Sequence, residues 1–231
     1  MNIYGLNKTT LLDYPEHLAA VIFLGNCNFR CPFCHNKSLV TELPSSKPLL
    51  ESDILGFLKK RKDILEGVCI TGGEPTLSKE LPSFMEKIKN MGYLIKLDTN
   101  GYEPDRLKDL CNHGLVDYVA MDIKNSKKKY METSGLNSLD LNKIEDSINF
   151  LVNGSIDYEF RTTIVKELHT KEDLYEIGQW IHNCKSYYLQ NYKETEGVIY
   201  PGFTSYSKNE LLAFQKLLLP FIPSTILRGV D

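Results

Sequence analysis

Leu18-Ala19-Ala20-Val21-Ile22-Phe23-Leu24-Gly25-Asn26-Cys27-Asn28-Phe29-Arg30-Cys31-Pro32-Phe33-Cys34-His35-Asn36 is the stretch on which the reading of this chain turns. Its first seven residues are apolar without a break, the pattern of a strand buried on both faces. Three cysteines follow at once in the spacing C-x3-C-x2-C. Thiolates so close together on one loop are soft ligands suited to an iron–sulfur cluster. A 4Fe–4S cluster ordinarily takes four cysteines, so a three-cysteine loop leaves one iron open, as metal sites that meet a substrate do. Structural zinc with His35 as fourth ligand fits less well. Cys34 and His35 are adjacent, so their side chains diverge, and structural zinc sites usually combine two separated pairs. His35 is read as a hydrogen bonder of the loop.

Outward from this stretch, strand-length apolar runs alternate with amphipathic runs of helix length. Strands are expected at 18–24, 67–71, 93–98, 116–123, 158–165, 186–190 and 224–228. Helices are expected at 52–65, 81–91, 104–113, 141–152, 171–182 and 207–219, the last opened by the capping box Ser207-Lys208-Asn209-Glu210. Repeated βα units imply a parallel sheet with helices outside it. About six units in 231 residues fall short of a complete eight-unit barrel of ~250. The expected fold is α/β, a partial, open parallel β/α barrel, as a single domain over residues 1–231.

A net charge of -3 offers no electrostatic case for nucleic acid or an anionic membrane as partner. The one basic run, 124–129, is read as a solvated loop. The first residues lack a basic segment followed by an apolar one, and no apolar run approaches the ~20 residues of a membrane helix. A cytoplasmic protein is expected, and in that reducing compartment six cysteines argue for metal or redox chemistry before disulfides. Cys69, Cys111 and Cys184 are scattered and read as small hydrophobes.

Three further motifs follow expected strands. In Thr71-Gly72-Gly73-Glu74-Pro75-Thr76 two glycines let the backbone turn sharply and approach a ligand, and Glu74 offers a carboxylate to a cationic group. It is not a P-loop, because the Lys-Ser/Thr ending is missing. Asp98-Thr99-Asn100-Gly101 and Met121-Asp122-Ile123-Lys124 end the next two strands, and Arg161 inside a strand demands a carboxylate partner. With Gln190, these residues all fall at or near C-terminal strand ends, the face that carries the active site in βα barrels.

The cysteine loop, with Phe33 before its last cysteine, resembles the signature of the radical S-adenosylmethionine (SAM) superfamily. The Gly72-Gly73-Glu74 turn resembles that superfamily's GGE motif. Thr10-Leu11-Leu12-Asp13-Tyr14-Pro15, Cys34-His35-Asn36 and the Asp-Thr-Asn-Gly and Asp-Ile-Lys segments narrow the resemblance to glycyl-radical-enzyme activases. Among these the chain is most similar to the short activating proteins of anaerobic ribonucleoside-triphosphate reductase, from about residue 3 to residue 228.

The resemblance implies one 4Fe–4S cluster on Cys27, Cys31 and Cys34, which reductively cleaves SAM to a 5′-deoxyadenosyl radical that abstracts hydrogen from a glycine of a partner enzyme. It implies that Phe33, Gly72, Gly73, Glu74, Asp98, Thr99 and Arg161 contact the cofactor, with the methionine amine held by the GGE turn. Asp98, Thr99 and Asp122 would place a monovalent cation near the cofactor carboxylate, and Lys124 is a catalytic-site cation. A flavodoxin- or ferredoxin-type protein would donate the electron. Two departures qualify the match. Phe23-Leu24-Gly25-Asn26-Cys27 stands where Leu-Gln-Gly-Cys is expected, so the loop entry should differ locally. Residues 192–206 lack the histidine associated with pyruvate formate-lyase activases. The alternatives are a radical SAM enzyme acting on a nucleoside-like small molecule, an activase of another glycyl-radical enzyme, and a non-enzymatic zinc-binding module.

Overall fold

The computed structural model describes residues 1–41 and 47–230. The chain divides into two compact units, Met1–Asn28 with Ser38–Ala120, and Phe29–Lys37 with Met121–Asp231.

The first unit opens with β1 (Ile3–Thr10), which pairs antiparallel with β2 (Ala19–Leu24). Sequence periodicity missed β1, so the run expected as first strand is the second. The reason lies in its burial: β1 is buried only at Ile3 and Thr10, whereas β2 is buried at five of its six positions. A half-solvated strand carries no continuous apolar run. The Thr10–Pro15 motif forms the turn between them, where Thr10 Oγ1 donates to Asp13 Oδ2 at 2.6 Å.

After α1 (Lys37–Val40) and α2 (Glu51–Arg61), β3 (Gly67–Gly72), α3 (Leu81–Lys89), β4 (Leu94–Thr99) and α4 (Pro104–Asn112) follow as expected to within a few residues. β3 runs parallel to β2, with Leu24 opposite Gly72, and β4 runs parallel to β3, with Cys69 opposite Lys96. α3 buries Leu81, Phe84, Met85 and Ile88, an i, i+3, i+4, i+7 stripe. Each such side chain stabilises the unit by roughly 1.5–3 kcal/mol on burial, and truncating Phe84 to Ala is expected to cost about 3–5 kcal/mol.

β5 (Tyr118–Asp122) passes from the first unit to the second. The second unit continues with α5 (Tyr130–Ser134), α6 (Leu141–Asn153), β6 (Asp157–Ile164), α7 (Lys171–Trp180), β7 (Tyr187–Asn191), α8 (Lys208–Leu218) and β8 (Thr225–Arg228). β6, β7 and β8 are parallel neighbours. The capping box read at Ser207 is formed, and a second one, Thr170 with Asp173, opens α7.

The basic run is a loop with Lys127 and Lys128 exposed, as expected, but its middle is buried and its lysines are paired. Asn125 and Ser126 are fully buried, Lys124 pairs with Asp122, Lys127 with Glu145, Lys128 with Glu176 and Lys129 with Asp173. Its charges are matched one by one, which charge counting along the sequence does not reveal. Strand order follows chain order through an eight-stranded sheet. The fold is α/β with an open, mostly parallel sheet, as expected of a partial β/α barrel. Among the described residues, no helix is long and apolar enough to cross a membrane.

Candidate active site

In the first unit, three strand ends are tied together. Gly72 has φ +115°, and a Cβ there would stand 2.3 Å from Leu24 O; at Gly73 it would stand 2.0 Å from Asn26 O. Only glycine permits that approach. It lets Gly73 N donate to Leu24 O at 2.8 Å and Glu74 N to Asn26 O at 2.7 Å. The GGE turn therefore lies directly on the entry to the cysteine loop. The departure at Asn26 has a local answer: it sits at φ +74°, a left-handed conformation that asparagine tolerates better than most residues.

Glu74 is 2% exposed. Its Oε1 accepts from Thr76 N at 3.1 Å, Thr76 Oγ1 at 2.6 Å and Thr99 Oγ1 at 2.8 Å. Oε2 accepts from Asn100 N at 2.7 Å. These partners are all neutral. Burial raises the pKa of Glu74, and the hydrogen bonds only partly oppose it. A carboxylate has about four acceptor sites, two on each oxygen, so Oε2 retains capacity for another donor.

Asn100, in turn, reaches the first cysteine. Its Nδ2 donates to Asn28 Oδ1 at 2.7 Å and stands 4.0 Å from Cys27 Sγ. On the facing positions of β3 and β4, Lys96 is buried, its ammonium pairs with Asp98, and Cys69 Sγ lies 3.9 Å from Lys96 Nζ and 3.7 Å from Asp98 Oδ1. Cys69 is thus more than a packing residue, because the parallel register sets it beside Lys96. Sequence reading missed Lys96, although its signal was present: a lone charge in an apolar strand, two residues before Asp98 and hence on the same face.

The second unit holds the other two cysteines on a braced loop. Cys34 N donates to Cys31 O at 3.0 Å, Ile199 N to Cys34 O at 3.1 Å, Tyr200 N to Pro32 O at 2.9 Å and Arg30 N to Ser134 O at 2.8 Å. His35 Nε2 lies 2.6 Å from Lys193 O, and the ring stacks on Tyr192. Phe33 is buried edge-on to His169 and Phe203. His169 itself accepts from Val165 N on Nδ1, so Nε2 carries the proton and donates to Lys124 O at 2.8 Å. Burial lowers its pKa, which keeps it neutral. Residues 192–206 brace the loop, a role that no local pattern announces.

Asp122 Oδ2 accepts from Lys124 Nζ at 2.9 Å, and its Oδ1 from Arg161 Nε at 3.0 Å. The carboxylate partner that Arg161 demanded is Asp122. Burial pushes the Asp122 carboxyl up, but the Arg161 and Lys124 charges outweigh it and hold it down at about 2. Burial likewise lowers the Lys124 pKa, yet Asp122 first and Cys31 second raise it further, so Lys124 is a firm cation. Burial pushes the Cys31 thiol up to about 11. Burial pushes the Cys111 and Cys184 thiols each up to about 12, and Cys184 Sγ lies 3.9 Å from Ser186 O.

The profile of the Radical SAM superfamily matches residues 21–181. A Methanocaldococcus jannaschii protein named as a glycyl-radical enzyme activating enzyme is 30% identical, over 99% of this chain and 96% of its own length. A 7-carboxy-7-deazaguanine synthase of Neisseria meningitidis is 32% identical over 53% of this chain and 51% of its own. Among solved structures, Streptococcus suis SuiB bound to S-adenosylmethionine superposes with a TM-score of 0.70 at 15% identity, covering 90% of this chain and 52% of that one.

The superfamily implies a 4Fe–4S cluster and SAM. Among the described residues no three His, Cys, Asp or Glu side chains form a ready-made metal group, Cys27 lying in the first unit and Cys31 and Cys34 in the second. The donor chemistry nevertheless fits: none of the three thiols is in a disulfide, and beside Cys27 the Asn28 Nδ2 is buried without a hydrogen-bond partner. Motif, profile and near-full-length relative agree, and the chain belongs to the Radical SAM superfamily.

Proposed function

We propose that this enzyme is an activase that installs a glycyl radical on a partner enzyme, most specifically an anaerobic ribonucleoside-triphosphate reductase. The observation that carries the activase reading is the relative named for that activity, similar over nearly the whole of both chains. The reductase as partner rests on the resemblance read from the motifs and on residues 192–206, which lack the histidine associated with the pyruvate formate-lyase group.

Cys27, Cys31 and Cys34 hold the cluster. When bound, cluster and SAM together supply the reducing electron and the hydrogen-abstracting group. The chain's own residues receive the cofactor by charge. Glu74, a buried carboxylate whose partners named above are all neutral, would take the methionine amine through Oε2, with the Gly72 and Gly73 backbone alongside. Lys124 and Arg161, both paired with Asp122, are the basic groups that would face an anionic group of the cofactor. Phe33 supplies an apolar wall. A monovalent cation at Asp98, Thr99 and Asp122 would share Asp98 with Lys96, and a potassium titration of SAM binding tests it. A flavodoxin- or ferredoxin-type protein supplies the electron, and the reducing cytoplasm suits six cysteines outside disulfides.

The test is anaerobic incubation of the reconstituted enzyme with SAM, a reductant and an anaerobic ribonucleotide reductase deuterated at glycine. A glycyl-radical signal by electron paramagnetic resonance (EPR), with deuterium in 5′-deoxyadenosine, is the expected result. Hydrogen abstraction requires the glycine carbon at near-attack distance, roughly 3–3.5 Å. Unlabelled product and no radical with this and other glycyl-radical partners would overturn the activase reading. Stoichiometric change of a nucleoside-like metabolite would then establish the small-molecule alternative.

A further inference from the structure

Asn28 directly follows the first cysteine of the loop, and its buried Nδ2 makes no hydrogen bond. The orientation of this amide is set by a relay. Tyr102 N donates to Asn100 Oδ1 at 3.0 Å, which identifies the other end of Asn100 as the donor. That Nδ2 donates to Asn28 Oδ1 at 2.7 Å, so the nitrogen of Asn28 is necessarily the unpartnered end. Cys27 Sγ lies 3.9 Å from Asn28 Oδ1 and 4.0 Å from Asn100 Nδ2. Asn100 is itself held from below, because its backbone N donates to Glu74 Oε2 at 2.7 Å.

A buried amide N–H without an acceptor is destabilising, and native proteins seldom keep one. Here it persists beside a thiol read as a cluster ligand, in an arrangement that fixes which atom is left over. We infer that Asn28 and Asn100 form an amide pair that donates N–H···S hydrogen bonds at the Cys27 corner of the cluster. Asn100 Nδ2 serves the Cys27 thiolate, Asn28 Nδ2 serves a cluster sulfur, and together they raise the cluster's reduction potential. Reduction adds negative charge to the sulfurs, so N–H dipoles aimed at them stabilise the reduced form more than the oxidised one. The inference rests on the cluster assignment made under Proposed function.

The experiment is redox titration of anaerobically reconstituted Asn28→Leu and wild type, monitored by EPR of the reduced cluster, with iron and sulfide counted beforehand. With four irons per chain in both, the variant is expected to show about a tenfold lower ratio of reduced to oxidised cluster at a given solution potential. That is about 59 mV for a one-electron couple. An unchanged potential with a full cluster overturns the inference and leaves the cluster assignment standing; a wild type that takes up no iron overturns both. Should the variant fail to fold or to load, pulsed EPR of wild type labelled with 15N at asparagine side chains decides. A weak 15N coupling to the reduced cluster supports the pair, and its absence overturns it.

Discussion

Glu74 and Asp122 are both carboxylates at C-terminal strand ends, and the two units treat them in opposite ways. Glu74 is buried among four neutral donors, and burial raises its pKa. Asp122, a third exposed, lies between two cations that hold it at about 2. Neutral dipoles favour a carboxylate without cancelling its charge, and here they only partly oppose the effect of burial. At Asp122 two cations, Lys124 and Arg161, pair directly with the carboxylate and favour its charged form.

The largest expected effect concerns the three cysteines of the loop, one, Cys27, in the unit of Glu74 and two, Cys31 and Cys34, in that of Asp122. Replacing any one with Ala is expected to abolish assembly of a four-iron cluster and SAM cleavage, while Cys111→Ala changes neither, as judged by iron and sulfide per chain. A Cys31→Ala protein with four irons and normal cleavage would break the comparison at its root.

Next comes the neutral network. Glu74→Ala orphans four donors, two of them on Thr76, and is expected to cost about 3 kcal/mol or more in urea unfolding. Glu74→Gln keeps the volume, and in a folded variant the lost charge-assisted hydrogen bond is expected to weaken SAM binding by about tenfold to hundredfold by calorimetry. Wild-type stability in Glu74→Ala would mean that the network is incidental. Wild-type affinity in Glu74→Gln would return Glu74 to the status of a turn residue.

The smallest effect belongs to the ion pairs, which are partly solvated. Arg161→Gln is expected to cost about 1 kcal/mol near neutral pH. The folded pKa of Asp122 is depressed from 3.8 to about 2, so its stabilising contribution is complete above 3.8 and is lost as pH falls through about 2. The stability gap between wild type and Arg161→Gln should therefore close as pH drops from 4 to 2. A gap independent of pH would assign the loss to packing of the arginine stem and not to charge.

What the sequence determined by itself was local. Unbroken apolar runs marked β2 and β3, a helical stripe marked α3, a capping box marked the start of α8, and cysteine spacing marked the loop; each signal lies within a few neighbouring residues. Tertiary structure alone decided the rest. β1 needed its partner strand, and Cys69 met Lys96 only through the parallel register. Residues 192–206 braced a loop some 160 positions earlier, as in the His35 hydrogen bond to Lys193. Asn100 reached Cys27 across 73 positions. Periodicity and spacing record what a residue does with its near neighbours, whereas these contacts depend on which backbone segments pack side by side, and that is settled only when the whole core is buried.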